Sequence, residues 1–285
     1  MNSNLNVKSL FHNYGDNQVL SDIDITLSPG IYGLIGANGA GKTTMIKILT
    51  GLLKPSSGSV LYNDSSINSV DYRSIVGLMP QSQKGYDNFT GYQLLWYMAT
   101  MKKIPKALAK DNIDQLIAMT SMNDFIHDKI KTYSGGMRQR LMLSQSLLGD
   151  PKIVFLDEPT AGLDPNERIK IRNYISEFSK NRIVIIATHV MQDIESIAKE
   201  IILLKAGEIK YKGTIADILN SMNGLVYESE IDHREIKDYQ SKYKVSNIIQ
   251  KDATVIIKYI TDIQTDEGAK LTQPSLEEVY LHYLV

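Results

Sequence analysis

An α/β fold is what this sequence predicts, on three observations. An apolar strand, Ile31 to Ile35, runs into Gly36-Ala37-Asn38-Gly39-Ala40-Gly41-Lys42-Thr43-Thr44 and then into the helix-compatible Met45 to Leu49, which Gly51 can stop. A second apolar strand, Ile153 to Leu156, ends in Asp157-Glu158, and a third, Arg182 to Thr188, is closed by His189. Between them the apolar residues recur with helical period, at Leu94, Leu95, Met98 and Met101 and again from Leu141 to Leu148.

The first of these stretches carries the most specific chemistry. Glycines at 36, 39 and 41 let the backbone curl until several N–H groups face one anion, and the following helix adds its positive end. Lys42 would neutralise β- and γ-phosphate charge, and the Thr43 hydroxyl would complete the shell of a Mg²⁺ ion. A triphosphate fits this loop better than any other ligand.

The 285 residues suffice for one large domain plus an appendage, and 43% hydrophobic against 22% charged residues allows a packed core. A net charge of −1 leaves no basic footprint for nucleic acid. The lack of cysteine excludes disulfides, a thiol nucleophile and thiolate metal sites. Met1 to Lys8 is polar, unlike a secretion signal, and no stretch reaches the roughly 20 apolar residues of a membrane helix, so a soluble chain is expected.

In chain order, Leu5 to Leu10 and Val19 to Leu27 read as antiparallel strands around Tyr14-Gly15, where an aromatic ring is placed to stack on a base. Pro29-Gly30 turns into the strand before the phosphate loop. After the turn at Lys54 to Gly58, short strands follow at Ser59 to Tyr62 and Ser74 to Met79, the second ending at Pro80-Gln81. The Gln81 amide oxygen is a donor for Mg²⁺ or its water. From Thr90 a helical insertion extends through Leu108 to Met119 and Met122 to Ile130, with Pro105 as a break and an aromatic, Met-rich face suited to a partner helix.

Tyr133-Ser134-Gly135-Gly136-Met137 then opens a helix, a second anion-binding end. One triphosphate needs one such loop, so the second serves the nucleotide of another subunit. Asp157, about 115 residues after Lys42, would hold Mg²⁺ through water, and Glu158, facing the other way, would act as general base toward an attacking water. Ala161 to Asp164 turns into a helix opened by Pro165. His189 is placed to contact the γ-phosphate and hold Glu158. A hairpin (Ile201 to Leu204, Glu208 to Tyr211) and a short helix (Ile215 to Leu219) complete the motif-bearing part. Strands at Leu225 to Ser229, Val245 to Ile249 and Thr254 to Ile260, with a helix at Ser275 to Leu284, make a small α/β appendage without evident chemistry.

In this order the motifs resemble those of ABC transporter ATPase subunits, over about residues 5–220: phosphate loop, Q-loop (Gln81), signature (Ser134-Gly135-Gly136), Walker B (Ile153 to Asp157 with Glu158), D-loop (Ala161 to Asp164) and H-loop (His189). The resemblance implies a P-loop NTPase of ABC type: a mixed RecA-like core sheet with an antiparallel β subdomain and a helical subdomain at about 90–148, in a domain spanning 1–220, followed by an accessory domain at 221–285. It assigns Tyr14 to the adenine-stacking A-loop. ATP would be held by Asn38, Gly39, Ala40, Gly41, Lys42, Thr43 and Thr44, with Ser134, Gly135, Gly136 and Asp164 also at the nucleotide. Thr43, Gln81 and Asp157 would serve Mg²⁺, and Glu158, His189 and Gln81 the hydrolysis.

The signature departs from the family's usual Leu-Ser-Gly-Gly-Gln by reading Tyr-Ser-Gly-Gly-Met, so any role of a glutamine amide at position 137 is lost. Thr90 to Leu94 and Pro274 to Tyr280 resemble ABC-2-type exporters of drugs, antimicrobial peptides or ions. The partners implied are a membrane-spanning permease that seats a coupling helix on the insertion at 90–130, and a second ATPase subunit, as homodimer or heterodimer. The implied location is cytoplasmic, on the inner face of the cell membrane. The alternatives are a soluble ABC ATPase on ribosomes or DNA, which usually has two ATPase halves or a long coiled coil, and a regulatory sensor without transport.

Overall fold

Residues 3–63, 65–67, 69–81, 85–262 and 268–285 are described by the structure, a computed structural model. Alternating burial makes β1 (Leu5–Tyr14) and β2 (Asn17–Leu27) a half-buried antiparallel pair, turned by Gly15 at φ +59°. The chain then enters β3 (Gly30–Ile35), the phosphate loop and α1 (Lys42–Leu49) before returning as β4 (Ser57–Tyr62) and β5 (Ser65–Ser66). Strands β2-β1-β4-β5 form one antiparallel sheet.

Next, Ser69 caps the short α2 (Val70–Ser74) by accepting from the Tyr72 N–H, and only then does β6 (Val76–Met79) begin. The strand expected from Ser74 therefore starts two residues late. Tyr72 explains why: its ring is fully buried and its hydroxyl donates to Leu49 O at 2.6 Å, tying this turn to the end of α1.

The helical insertion contains α3 (Gly91–Met101), α4 (Lys106–Met119) and α5 (Gly135–Ser146). Thr90 and Gln93 form a reciprocal capping box at the start of α3. The helix expected over Met122 to Ile130 is absent; turns and a 3₁₀ turn at Ile130–Thr132 occupy it. Met122, Ile126 and Ile130 still bury at helical spacing, but Asn123, Asp124 and Asp128 between them compete for backbone groups and favour turns.

The chain continues through β7 (Ile153–Asp157), α6 (Pro165–Phe178), β8 (Ile183–Ala187), α7 (Met191–Ile197), the hairpin β9 (Glu200–Lys205) and β10 (Glu208–Gly213), and α8 (Ile215–Ser221). The central sheet runs β10-β9-β3-β8-β7-β6, parallel except for the β9–β10 pair. Both faces are covered, so its strands read as near-continuous apolar runs. Val154, Leu156, Val184 and Ile186 pack on the helical side, and Ile153, Phe155, Ile183 and Ile185 on the side of α1 and the antiparallel sheet.

The C-terminal part is a second antiparallel sheet, ordered β12 (Lys244–Gln250), β13 (Val255–Ile260), β11 (Val226–Ile231), β14 (Lys270–Leu271). Sequence periodicity missed α9 (Ile236–Lys242), whose Ile236 and Tyr239 pack on this sheet. The last helix, α10 (Leu276–Leu284), returns to α7, α8 and β9, and its Leu276, Val279 and Leu284 join the same core as Ile201 and Leu203.

Candidate functional site

Strands β3, β8, β7 and β6 lie side by side, and their C-terminal ends carry the phosphate loop, Thr188-His189, Asp157-Glu158 and Pro80-Gln81 respectively. One end of the sheet therefore collects residues scattered over more than half the sequence.

The loop is shaped by its glycines. Gly41 holds φ +106°, and a Cβ there would stand 2.8 Å from Leu20 Cδ2 and 3.0 Å from Val19 O, so the loop closes onto β2 only with glycine. Lys42 Nζ donates to Gly36 O at 2.7 Å and Ala37 O at 3.1 Å, which points the ammonium back over the loop. Burial lowers its pKa below the usual 10.5, while the charges of Glu158 and Asp157 act in the opposite direction.

Asp157 ends β7, and its pKa is raised above 3.8, first by burial and then by the Glu158 charge, with Lys42 and Lys47 opposing. Glu158 takes the left-handed conformation, φ +54°, anchored by its N–H to Ala187 O at 2.8 Å. That turn sends its side chain away from Asp157's and toward the end of β8. There one carboxylate oxygen accepts from Thr188 Oγ1 at 3.1 Å and the other meets His189 Nδ1 at 2.8 Å. Glu158 is buried, while the His189 side chain is 68% exposed. A buried, hydrogen-bonded carboxylate capped by an accessible imidazole is able to take a proton from a water beside the loop.

These groups share a cleft of about 330 Å³ lined by Tyr14, Val19, Asn38, Gly39, Gly41, Lys42, Thr43, Thr44, Gln81, Asp157 and Glu158. The Tyr14 ring is half-exposed and its centroid lies 4.7 Å from that of the buried His12. Of the predicted nucleotide contacts, Tyr14 and the phosphate-loop residues other than Ala40 are thus brought together with Gln81, Asp157 and Glu158, and His189 joins through Glu158. Ala40 is the exception within the loop, since its side chain packs into the core and its carbonyl accepts from Gly207 N–H. Val19 was not predicted; its place at the start of β2, directly after the Tyr14 turn, is the sequence signal for it.

Ser134, Gly135, Gly136 and Asp164 are not among the residues lining the cleft. Ser134 caps α5, accepting from the Met137 N–H at 3.2 Å, and Asp164 caps α6, accepting from the Glu167 N–H at 3.0 Å. The two caps adjoin: Leu163 lies against Gly135, and Glu167 reaches Gly136 and pairs with Arg140 at 3.0 Å. At position 137, the capping role of a glutamine is partly kept, because the Ser134 N–H donates to Met137 Sδ at 3.5 Å.

Thr43, Gln81 and Asp157 supply hydroxyl, amide and carboxylate oxygens to one cleft, a donor set of the hardness Mg²⁺ takes together with phosphate and water. Among the described residues no group of three or more His, Cys, Asp or Glu is arranged to hold a metal. Among the described residues, too, no helix is long and apolar enough to cross a membrane.

Comparison with known proteins places these observations. The ABC transporter family model matches residues 20–161. An ABC transporter ATP-binding protein of Bacillus subtilis (strain 168), YxlF, is 29% identical over 293 residues, covering 97% of this chain and 98% of the relative. YhcH, another from that organism, is 36% identical over 235 residues, covering 81% of this chain and 74% of its own length. Among solved structures, an ATP-binding subunit of an ABC transporter superposes with a TM-score of 0.69 at 26% identity, over 76% of this chain and 92% of that one. The cbiO1 protein of Clostridium perfringens, part of the cbiONQ transporter complex, gives 0.70 at 26% identity, over 77% and 92%.

Proposed function

The chain belongs to the ABC transporter family and is an ATP-binding subunit that hydrolyses ATP; on that premise we propose that two such subunits close head to tail around two ATP molecules and drive a separate membrane-spanning subunit. The observation that carries this is the division of the motifs. The cleft holds one set, while the N-terminal end of α5, capped by Ser134 and opened by Gly135, lies outside it beside the Asp164 cap of α6, and its free N–H groups would serve the phosphate of another subunit.

In the closed dimer the loop N–H groups and Lys42 bind the β- and γ-phosphates, and Tyr14 stacks on adenine. Ser134 and Gly135 of the other subunit meet the γ-phosphate from the far side. Thr43, Gln81 and Asp157 would hold Mg²⁺, which when bound neutralises phosphate charge. Glu158 takes the proton of the attacking water, and His189 holds Glu158 and the γ-phosphate in line. Loss of the phosphate that both surfaces share opens the dimer, a rigid-body switch passed to the permease.

The helical layer offers apolar surface for that partner. Tyr86, Phe89 and Tyr97 cluster with centroids 5.7–6.0 Å apart just beyond the Gln81 loop, Tyr97 being exposed. Farther along, exposed Met101 and Leu108 line a groove of about 990 Å³ between α2 and the α3–α4 connection. The assembly would sit on the inner face of the cell membrane through the permease. Export, of a drug, peptide or ion, follows the resemblance of residues 90–94 and 274–280 to ABC-2-type exporters.

The test uses Glu158→Gln, which keeps the side chain's size and one of its two acceptor oxygens but removes the base. With ATP and Mg²⁺ it should elute as a stable dimer from a sizing column. A monomeric profile under those conditions contradicts the sandwich.

A further inference from the structure

Asp193 is a buried carboxylate that the hydrolytic scheme does not use. It is 5% exposed, lies on α7 four residues after His189, and accepts from Thr160 Oγ1 at 2.5 Å. Thr160 is 1% exposed and follows Glu158 by two residues, with the rigid Pro159 between. On its other side Asp193 faces Arg172 of α6, whose Nη1 is 3.6 Å away and also donates to Gln192 O at 3.4 Å and Ser196 Oγ at 3.3 Å.

Two short segments are therefore joined by two rungs. One rung is Glu158 to His189, at 2.8 Å, and the other is Thr160 to Asp193. The first is weak by itself, because the His189 side chain is 68% exposed. The second is buried and directional, and Arg172 compensates its charge. A buried ion pair contributes little net stability over apolar packing, but it fixes geometry, and losing one partner leaves the other uncompensated. Below α7 there is no slack, since Ile194 packs where a side chain at Gly33 of β3 would stand.

We infer that Asp193, through Thr160 and with Arg172 as counter-charge, is a positioning residue that sets the distance between Glu158 and His189 during ATP hydrolysis. The inference rests on the assignment of Glu158 and His189 as the hydrolytic pair. A displacement near 1 Å at such a pair lowers rate by roughly 10- to 100-fold without touching nucleotide binding.

Thr160→Val removes the rung and leaves the Asp193–Arg172 pair in place. Its kcat should fall about 10-fold or more with the ATP KM within about 2-fold, and Thr160→Ser, which keeps the hydroxyl, should restore most of the rate. Asp193→Ala should lower kcat likewise, and because it also strips Arg172 of its counter-charge it should lower the melting temperature more than Thr160→Val does. In a Glu158→Gln background neither change should lower the residual rate further. A kcat for Thr160→Val within about 2-fold of wild type overturns the inference, as does an equal loss in the Glu158→Gln background. If Glu158→Gln itself keeps wild-type kcat, the assignment of the pair fails instead. Melting temperature and ATP affinity are measured on each variant, and loss of ATP affinity in Thr160→Val also counts against positioning.

Discussion

Replacing Lys42 by alanine tests the phosphate loop at the level of single atoms. Its ammonium is half-buried over the loop and bonded to Gly36 O and Ala37 O, with two carboxylates, Asp157 and Glu158, across the cleft. A hydrogen bond to a charged group contributes roughly 1.5–3 kcal/mol, which is roughly 10- to 150-fold in Kd. Two corrections apply. The bonds to the loop carbonyls are given up or shared when phosphate arrives, which reduces the net gain. Without the ammonium, the charges of Asp157 and Glu158 bear more strongly on the triphosphate, which enlarges the loss. The two act in opposite directions, so Lys42→Ala should weaken ATP binding by about 30-fold, read by calorimetry with a non-hydrolysable analogue. Because burial lowers the Lys42 pKa, wild-type affinity should also decline on the alkaline side below the ordinary 10.5, and the variant should lack that limb. A Kd within about 3-fold of wild type refutes this account of the loop.

Other consequences are independent of Lys42. Tyr14→Ala should weaken ATP binding by about 1–3 kcal/mol while Tyr14→Phe stays close to wild type; equal losses would mean the hydroxyl, not the ring, makes the contact. Gly77→Ala places a Cβ 2.0 Å from Ser146 O, a backbone atom, and should cost about 3 kcal/mol or more in urea unfolding; a loss below about 1 kcal/mol contradicts the packing of α5 on β6. Glu278 is buried, which by itself would raise its pKa, but Ser246, Ser275 and Lys258 hold the charge and the net shift is below the ordinary 4.5. Its stabilisation is present above that value and lost as pH falls through the lowered folded-state pKa, so the Tm gap between wild type and Glu278→Gln should close as pH is taken below 4.5; a constant gap refutes it.

The nucleotide end of the fold is legible in the sequence because its chemistry is local. A glycine loop between strand and helix, and carboxylates after four apolar residues, declare their backbone context within a few positions. Less is legible where long-range packing decides. Val70 to Ser74 becomes a helix because Tyr72 reaches Leu49, and no window of neighbours contains that contact. Met122 to Ile130 shows helical spacing without a helix, since turns delivered the same side chains to the core. Ile236 and Tyr239 of α9 stand at helical spacing, but the strands on either side dominate the local pattern. Thr160 and Asp193, 33 residues apart, and the Met137 sulfur at the Ser134 N–H are relations between side chains that no motif encodes.

The central claim is that each ATP site takes its phosphate loop from one subunit and Ser134 from another. Lys42→Ala and Ser134→Arg are each expected to abolish ATPase activity when pure, since every site then carries one lesion. Mixed in equal amounts, half of the dimers are heterodimers in which one site carries both lesions and the other none, so activity should reappear at about a quarter of the wild-type value. A mixture no more active than its two components would mean that the site is completed within one chain, and would contradict the shared site.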